Sequence, residues 1–284
     1  MIKNKDYEVP LDKFINSALY DPKKGYYMKK MPFGKSGDFI TSPNISKIFS
    51  EMIFLWIVSY WEKFYKNQKI NLIELGAGNG EMMSQIISSS KNFHKFYSSC
   101  DFKIYEKSEK LINIQKKKLN DYKIDWIKNL NKLEKKPTIF FGNEFLDALP
   151  IKQFVKYNNT WFERYVKKNG DTYNFTEKKC NKNKLEKKLN FKISNKHKFL
   201  EISFDSINIL KKLNYFITKN GGCLFFIDYA YLNDKMSDTL QAVKDHKKVD
   251  PLQNVGSSDI SHVINIPFLK KILKKIQLEL DYNT

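Results

Sequence analysis

A chain of 284 residues, 42% of them hydrophobic, can hold one large α/β domain with an added lobe around a proper core. Its formal charge of +19 points toward nucleic acid or an anionic membrane surface, yet Arg164 is the only arginine, and nucleic-acid surfaces exploit the guanidinium fork and stacking plane as well as charge. Lysine, asparagine and isoleucine are heavy throughout, the mark of compositional drift, so nucleic acid is not the expected partner. Residues 9 to 20 place Val9, Leu11, Phe14, Ile15, Ala18 and Leu19 at roughly helical spacing before Asp21-Pro22, which predicts a short helix. The following Gly25-Tyr-Tyr-Met and Met31 to Ser42 are rich in glycine and aromatics, the composition of a loop that closes over a ligand or plugs a gap between helices. Ser42 is expected to cap a helix with Pro43 at its first position and Ile45, Ile48, Phe49, Met52, Ile53, Trp56, Tyr60, Trp61 and Phe64 on its core face.

From Ile70 strands and helices alternate. Asn71-Leu-Ile-Glu-Leu-Gly-Ala-Gly-Asn-Gly80 is a buried strand running into three glycines, where a ligand can lie against bare backbone. The dinucleotide fingerprint needs a third glycine where Glu81 stands, and the carboxylate of Glu74 repels a pyrophosphate while suiting the amino group and sulfonium of S-adenosylmethionine (SAM). Glu74, Gly76, Gly78 and Gly80 are therefore read as SAM-binding. A second strand, Asp101 to Tyr105, ends at Glu106, where a carboxylate can accept from both ribose hydroxyls or complement the dipole of the next helix, expected from about Ser108 to Leu119. Lys123 to Ile127 is the third strand, with Trp126 either core or beside the adenine. Pro137 to Phe141 is the fourth, and it delivers Asn143, Glu144 and Asp147 at the carboxyl end, where open α/β sheets bind ligands.

Residues 155 to 175 read as short antiparallel strands joined by Asn158-Asn159 and Asn169-Gly170, an insertion of about 151–200 that ends in a lysine-rich stretch with a helical turn or two. A helix from about Phe204 to Thr218 leads through Gly221-Gly222 to a fifth strand, Cys223 to Asp228, and a long loop precedes a last helix from roughly Pro267 to Leu280. The expected division is a helical lid lobe over 1–66 and a SAM-binding domain over 67–284. Cys100, Cys180 and Cys223 form no Cys-x-x-Cys pair and lack histidines at metal-ligand spacing, so neither a metal nor a disulfide framework is expected. The start has no apolar run for a signal peptide, and Met52 to Trp61 is too short to span a bilayer, which predicts a reducing, cytoplasmic protein without membrane insertion.

Ala18-Leu-Tyr-Asp-Pro-Lys-Lys-Gly-Tyr-Tyr, Pro32-Phe-Gly-Lys-Ser-Gly-Asp-Phe-Ile-Thr-Ser-Pro, Glu74-Leu-Gly-Ala-Gly-Asn-Gly, Asn143-Glu-Phe-Leu-Asp-Ala-Leu-Pro, Trp161-Phe-Glu-Arg, Ile227-Asp-Tyr and Asp259-Ile-Ser-His-Val together resemble the MidA-like family. These are SAM-dependent methyltransferases whose mitochondrial members are protein arginine methyltransferases needed to assemble respiratory complex I. The resemblance implies a class I Rossmann-like methyltransferase sheet with an N-terminal helical lobe and a small β insertion after the fourth strand, SAM as cofactor, and a protein substrate, in eukaryotic relatives within the mitochondrial matrix. The resemblance also implies a β-hairpin past the final helix that completes the sheet, so the expectation is either a truncated form or a sheet without its last strands.

Methyl transfer needs alignment and exclusion of water more than acid–base chemistry, and a guanidinium acceptor needs a carboxylate. Glu144 and Asp147 are the expected catalytic carboxylates, although Asp147 is equally suited to cap a helix after the strand. Asp38, Thr41 and Ser42 are expected to close the pocket, with Asp259 and His262 as weaker candidates. A nucleic-acid methyltransferase is a rival reading, but amino-directed forms carry Asn/Asp-Pro-Pro-Tyr/Phe where this chain has Asn143-Glu-Phe. A non-catalytic assembly factor that keeps the fold is the other.

Overall fold

The computed structural model describes residues 6–29, 37–38 and 41–275. Its centre is a parallel sheet of five strands, β1 (Ile70–Leu75), β2 (Cys100–Tyr105), β3 (Ile124–Ile127), β4 (Thr138–Asn143) and β5 (Gly222–Ile227), in the spatial order β5-β4-β1-β2-β3. The strand order reverses between β1 and β4, so the crevice at their carboxyl ends opens where the connections leave in opposite directions. All six residues of β1 are buried. Its internal Asn71 is tolerated because the side-chain amide donates to Glu134 O and Thr138 Oγ1 at 3.1 and 3.0 Å.

Helices α2 (Lys47–Tyr65) and α3 (Glu81–Ser90) cover one face of the sheet, bringing Ile53, Ile57, Trp61, Met83 and Ile86 against Leu72, Ile139 and Phe141. Helix α5 (Phe204–Asn220) covers the other through Leu213 and Phe216 on Ile73 and Phe140. Helix α4 (Glu109–Lys118) follows β2, with Ser108 accepting from Leu111 N at its start.

The α2 region departs from its expected form in two ways. Thr41, not Ser42, occupies the cap of a single turn (Ser42–Ile45), and Ser46 caps a separate helix by accepting from Ile48 N. The buried face carries Ser50, Ile53, Phe54, Ile57, Val58 and Trp61, while Ile45, Ile48, Met52, Trp56 and Phe64 are exposed. A helix apolar nearly all round offers no periodicity with which to choose a face.

The insertion is an antiparallel sheet larger than its sequence pattern shows. Lys152–Tyr157, Thr160–Asn169 and Thr172–Cys180 form the expected meander, with Asn158 and Asn159 at φ 44 and 63 in the tight turn. Two further strands, Phe199–Ile202 and the amino-terminal Tyr7–Pro10, extend it. Tyr7–Pro10 pairs with residues more than 150 positions away in sequence, a contact that no local pattern reports. The lysine-rich stretch forms a helix, Lys182–Leu189, that buries Leu185 and Leu189.

Residues 229 to 266, expected as a loop, contain a three-stranded antiparallel sheet (Gln241–Lys244, Lys247–Val249, Asp259–Ser261). It packs with α1 (Leu11–Tyr20), so that Leu11, Phe14, Ile15 and Leu19 share a core with Ala242, Ile260 and Val166. Material from both ends of the chain thus forms one cap over the crevice. The last described helix, α6 (Ile266–Lys274), starts one residue before the predicted one; the predicted residues 276–280, like loop residues 30–36 and 39–40, lie outside the described residues.

Candidate active site

A cavity of about 690 Å³ runs from the glycine turn after β1 to the turn after β4 and is roofed by the cap. Its lining includes Glu74, Gly76, Gly78, Glu106, Asn143, Glu144 and Asp147, residues singled out from the sequence, together with Thr41 of the lid set. Gly76, Gly78 and Gly80 all take positive φ (67, 54 and 79), the conformation that makes glycine necessary in this turn. Gly80 is not among the lining residues; a Cβ there would meet Leu119 at 3.2 Å, so it serves the packing of α3 on α4. At Gly76 a Cβ would come 2.8 Å from the ring of Phe145, which ties the two turns closely together.

The fit to SAM rests on unspent polar capacity. Glu74 is buried and accepts from the Met83 backbone N–H, but its Oε2 has no partner among the described residues. Burial pushes its carboxyl up to about 8, and a cationic ligand group such as the amino end of SAM would restore its charge. Folding therefore holds a proton on Glu74 that the unfolded chain releases near 4.5, and this contribution to stability, complete below that pH, is lost as pH rises through about 8. The thermal midpoint of the ligand-free protein is expected to fall across this window, and Glu74→Gln to flatten the fall. An unchanged slope in a pH series of melting curves would remove Glu74 as its source.

Glu106 lines the cavity but is already engaged. Its Oε1 accepts from Lys107 N and Ser108 N at 2.8 and 2.9 Å, and its Oε2 receives Gln115 Nε2 at 3.3 Å. The carboxylate thus shapes the turn into α4 and keeps lone pairs for a ribose. Glu106→Gln preserves an acceptor for the turn and is expected to lose on the order of 1 to 3 kcal/mol of SAM affinity by calorimetry. Affinity equal to the parent would leave Glu106 with the turn alone.

Gln115 is the residue that sequence reasoning missed. Its amide donates to Gly78 O at 2.9 Å as well as to Glu106, and its Oε1 receives Trp126 Nε1 at 2.9 Å. Trp126 does not line the cavity; it holds Gln115, and the far wall is made by Leu111 and Lys128 to Asn131. No sequence signal marks a glutamine in the middle of an amphipathic helix.

Glu144 is held at φ 51, a left-handed conformation rare for a residue with a side chain, at the tip of β4. Its N–H donates to Ile227 O at 2.8 Å and its Oε1 accepts from Asn143 Nδ2 at 3.0 Å. Asp147 lies beyond it on a turn, not at a helix cap, and is buried. Burial raises both carboxyls, and Asp228, Asp259 and Glu144 add like-charge repulsion at Asp147. Tyr20 and Tyr27 line the same cavity, their rings stacked at 5.5 Å, with Tyr27 Oη donating to Asp259 Oδ1 at 2.7 Å. The chain is basic overall, yet this end of its cavity is acidic and aromatic.

Three lid candidates are not at the cavity wall. Asp38 accepts from Tyr26 Oη at 2.8 Å and from Asp245 N at 3.0 Å, fastening the hairpin turn of the cap. Ser42 is the first residue of its helical turn, while its neighbours Thr41, Pro43 and Asn44 line the cavity. His262 is buried behind the wall, where its backbone N–H donates to Asp147 O at 3.1 Å and desolvation lowers its imidazole to about 4, so it is neutral. The carboxylate of Asp38 is thus spent within the protein, while His262 Nε2 is buried without a partner among the described residues. No group of three or more His, Cys, Asp or Glu able to hold a metal occurs among the described residues.

The Xenopus laevis protein arginine methyltransferase NDUFAF7, mitochondrial, is 26% identical over 93% of this chain, and the human protein of that name is also 26% identical over 93%. A Caenorhabditis elegans homolog of it is 28% identical over 94%. The chain spans 66% of the Xenopus laevis relative and 65% of the human one, slightly under two thirds of their length. A crystal structure of a Burkholderia thailandensis protein bound to S-adenosyl-homocysteine superposes with a TM-score of 0.79 at 19% identity, covering 95% of this chain and 72% of that one; at this identity the likeness speaks for the fold. The family model for S-adenosyl-L-methionine-dependent methyltransferases matches residues 52–283, and the chain belongs to that family.

Proposed function

We propose that this chain transfers a methyl group from SAM to an arginine side chain of a protein. The observation that carries the reading is Glu144, a carboxylate held in a strained left-handed backbone beside buried Asp147, on the wall of the cavity that begins at the glycine turn. When bound, SAM supplies an electrophilic methyl group. The chain's own residues then have two tasks. Glu74 and Glu106 anchor the two ends of the cofactor, and Glu144 with Asp147 receives the guanidinium and orients its attacking nitrogen while Tyr20 and Tyr27 exclude water.

The net charge of +19 repels a cationic acceptor at long range, so recognition falls to short-range carboxylates within the roughly 8 Å over which physiological salt leaves fields unscreened. The names of the relatives support a protein arginine as acceptor, and by the family resemblance a subunit of respiratory complex I is the candidate substrate. No described helix is long and apolar enough to cross a membrane. We place the protein in the cytoplasm of a bacterial-type cell, the counterpart of the matrix where its mitochondrial relatives work.

The test is incubation with labelled SAM and a cell extract, treated in parallel with protease and nuclease. Label released by protease and recovered as methylarginine supports the reading. Label released by nuclease favours the nucleic-acid rival that the net charge invites. SAM binding with no transfer favours an assembly factor that keeps the fold.

A further inference from the structure

Asp228, the residue after β5, sits where the two central strand ends meet, because Ile227 pairs with Asn143 and Ile227 O accepts from Glu144 N. Its Oδ1 accepts from Leu146 N at 3.1 Å and Asp147 N at 3.2 Å. Two consecutive backbone donors on one carboxylate oxygen hold the turn at residues 146 and 147. The same turn forces Glu144 into its left-handed conformation. Asp228 itself is not among the residues lining the cavity.

Its second oxygen adds to the case. Asp228 Oδ2 is buried without a hydrogen-bond partner among the described residues. A structural anchor alone would gain by satisfying both oxygens, since an acceptor buried without a partner destabilises the fold. We propose that Asp228 is the positioning residue of the acceptor site, clamping the turn that presents Glu144 and Asp147 and adding an uncompensated carboxylate behind them. This rests on the reading of Glu144 and Asp147 as the acceptor-binding pair.

The groups that face this carboxylate pair are Glu144 from the turn, Asp259 from the cap, Tyr20 from α1 and Tyr229 beyond β5, with neutral His262 meeting the Asp147 carbonyl through its backbone N–H. Burial raises both Asp147 and Asp228, with repulsion from Asp228 added at Asp147 and from Glu144 at Asp228. Removing the charge at 228 therefore lowers the pH at which Asp147 ionises.

Two variants separate the clamp from the charge. In Asp228→Ala, amide hydrogen exchange in residues 144–149 is expected to accelerate by about tenfold or more while residues 70–80 keep their protection, with SAM affinity within about twofold of the parent and kcat down by at least about tenfold. In Asp228→Asn, which keeps an acceptor for the turn, exchange stays near the parent and the acid limb of the transfer rate moves to lower pH. Unchanged exchange in Asp228→Ala, or a loss of SAM binding equal to the loss of transfer, would overturn the proposal. Exchange needs no acceptor, so if the parent labels nucleic acid instead of arginine, the proposed function fails while the clamp is still decided. Should Asp228→Ala not fold, Asp228→Asn decides by its pH profile, and an unmoved acid limb counts against the proposal.

Discussion

Glu144→Gln is expected to bind SAM as its parent does and to transfer methyl groups to protein arginine at least about a hundredfold more slowly. The amide keeps the size of the side chain and an acceptor for Asn143 Nδ2, which donates to Glu144 Oε1 at 3.0 Å, so the turn after β4 keeps its shape. What disappears is the charge that a guanidinium requires in a cavity where Asp147 is pushed toward its neutral form by burial and by its acidic neighbours. Of the two carboxyls Glu144 is the more solvated, and its rise comes from burial alone, offset by Asn143. It is therefore the one that carries charge at neutral pH with less cost. Single-turnover transfer and calorimetry, run side by side, check both halves of the expectation. A variant as active as its parent would sink the arginine reading, and one that also lost SAM would move Glu144 to the cofactor site.

Deletion of residues 1–40 is expected to abolish transfer by unfolding the cap, not by removing a detachable lid. Leu11, Phe14, Ile15 and Leu19 are 0 to 2% exposed, and their partners Val166, Ala242 and Ile260 belong to the insertion and to the carboxyl-terminal half. Each such side chain contributes about 1.5 to 3 kcal/mol on burial, so four of them amount to roughly the whole stability of an ordinary domain, about 5 to 15 kcal/mol. Loss of Tyr7–Pro10 also bares an edge of the insertion sheet. Thermal unfolding of the truncated chain should show a lost or strongly lowered transition. A truncated chain that melted like the parent would show α1 to be dispensable. Tyr20→Ala asks about function without that collapse: Tyr20 is only partly buried, lines the cavity and stacks on Tyr27. Its transfer rate should fall by about tenfold with SAM affinity retained.

Features that depend on residues close together in the chain could be read from the residues alone. Buried runs followed by glycines can only be strands entering tight turns, so β1, its three positive-φ glycines and the sheet strands were legible, as were Glu74, Glu106 and Glu144 at strand ends. The Asn158-Asn159 hairpin was legible for the same reason. Whatever hangs on contacts between residues distant in sequence was settled by the packing of the folded chain. It chose the buried face of α2, which is apolar almost all round, and it built one cap from α1 and the sheet of residues 241 to 261. It turned Asp38 onto Tyr26 and Asp245, because a buried polar group takes whichever partner the fold supplies, and it buried His262 behind the cavity wall; spacing in sequence reports neither. Gln115 and Asp228 gained their places in the same way, each through hydrogen bonds to a turn that other strands deliver.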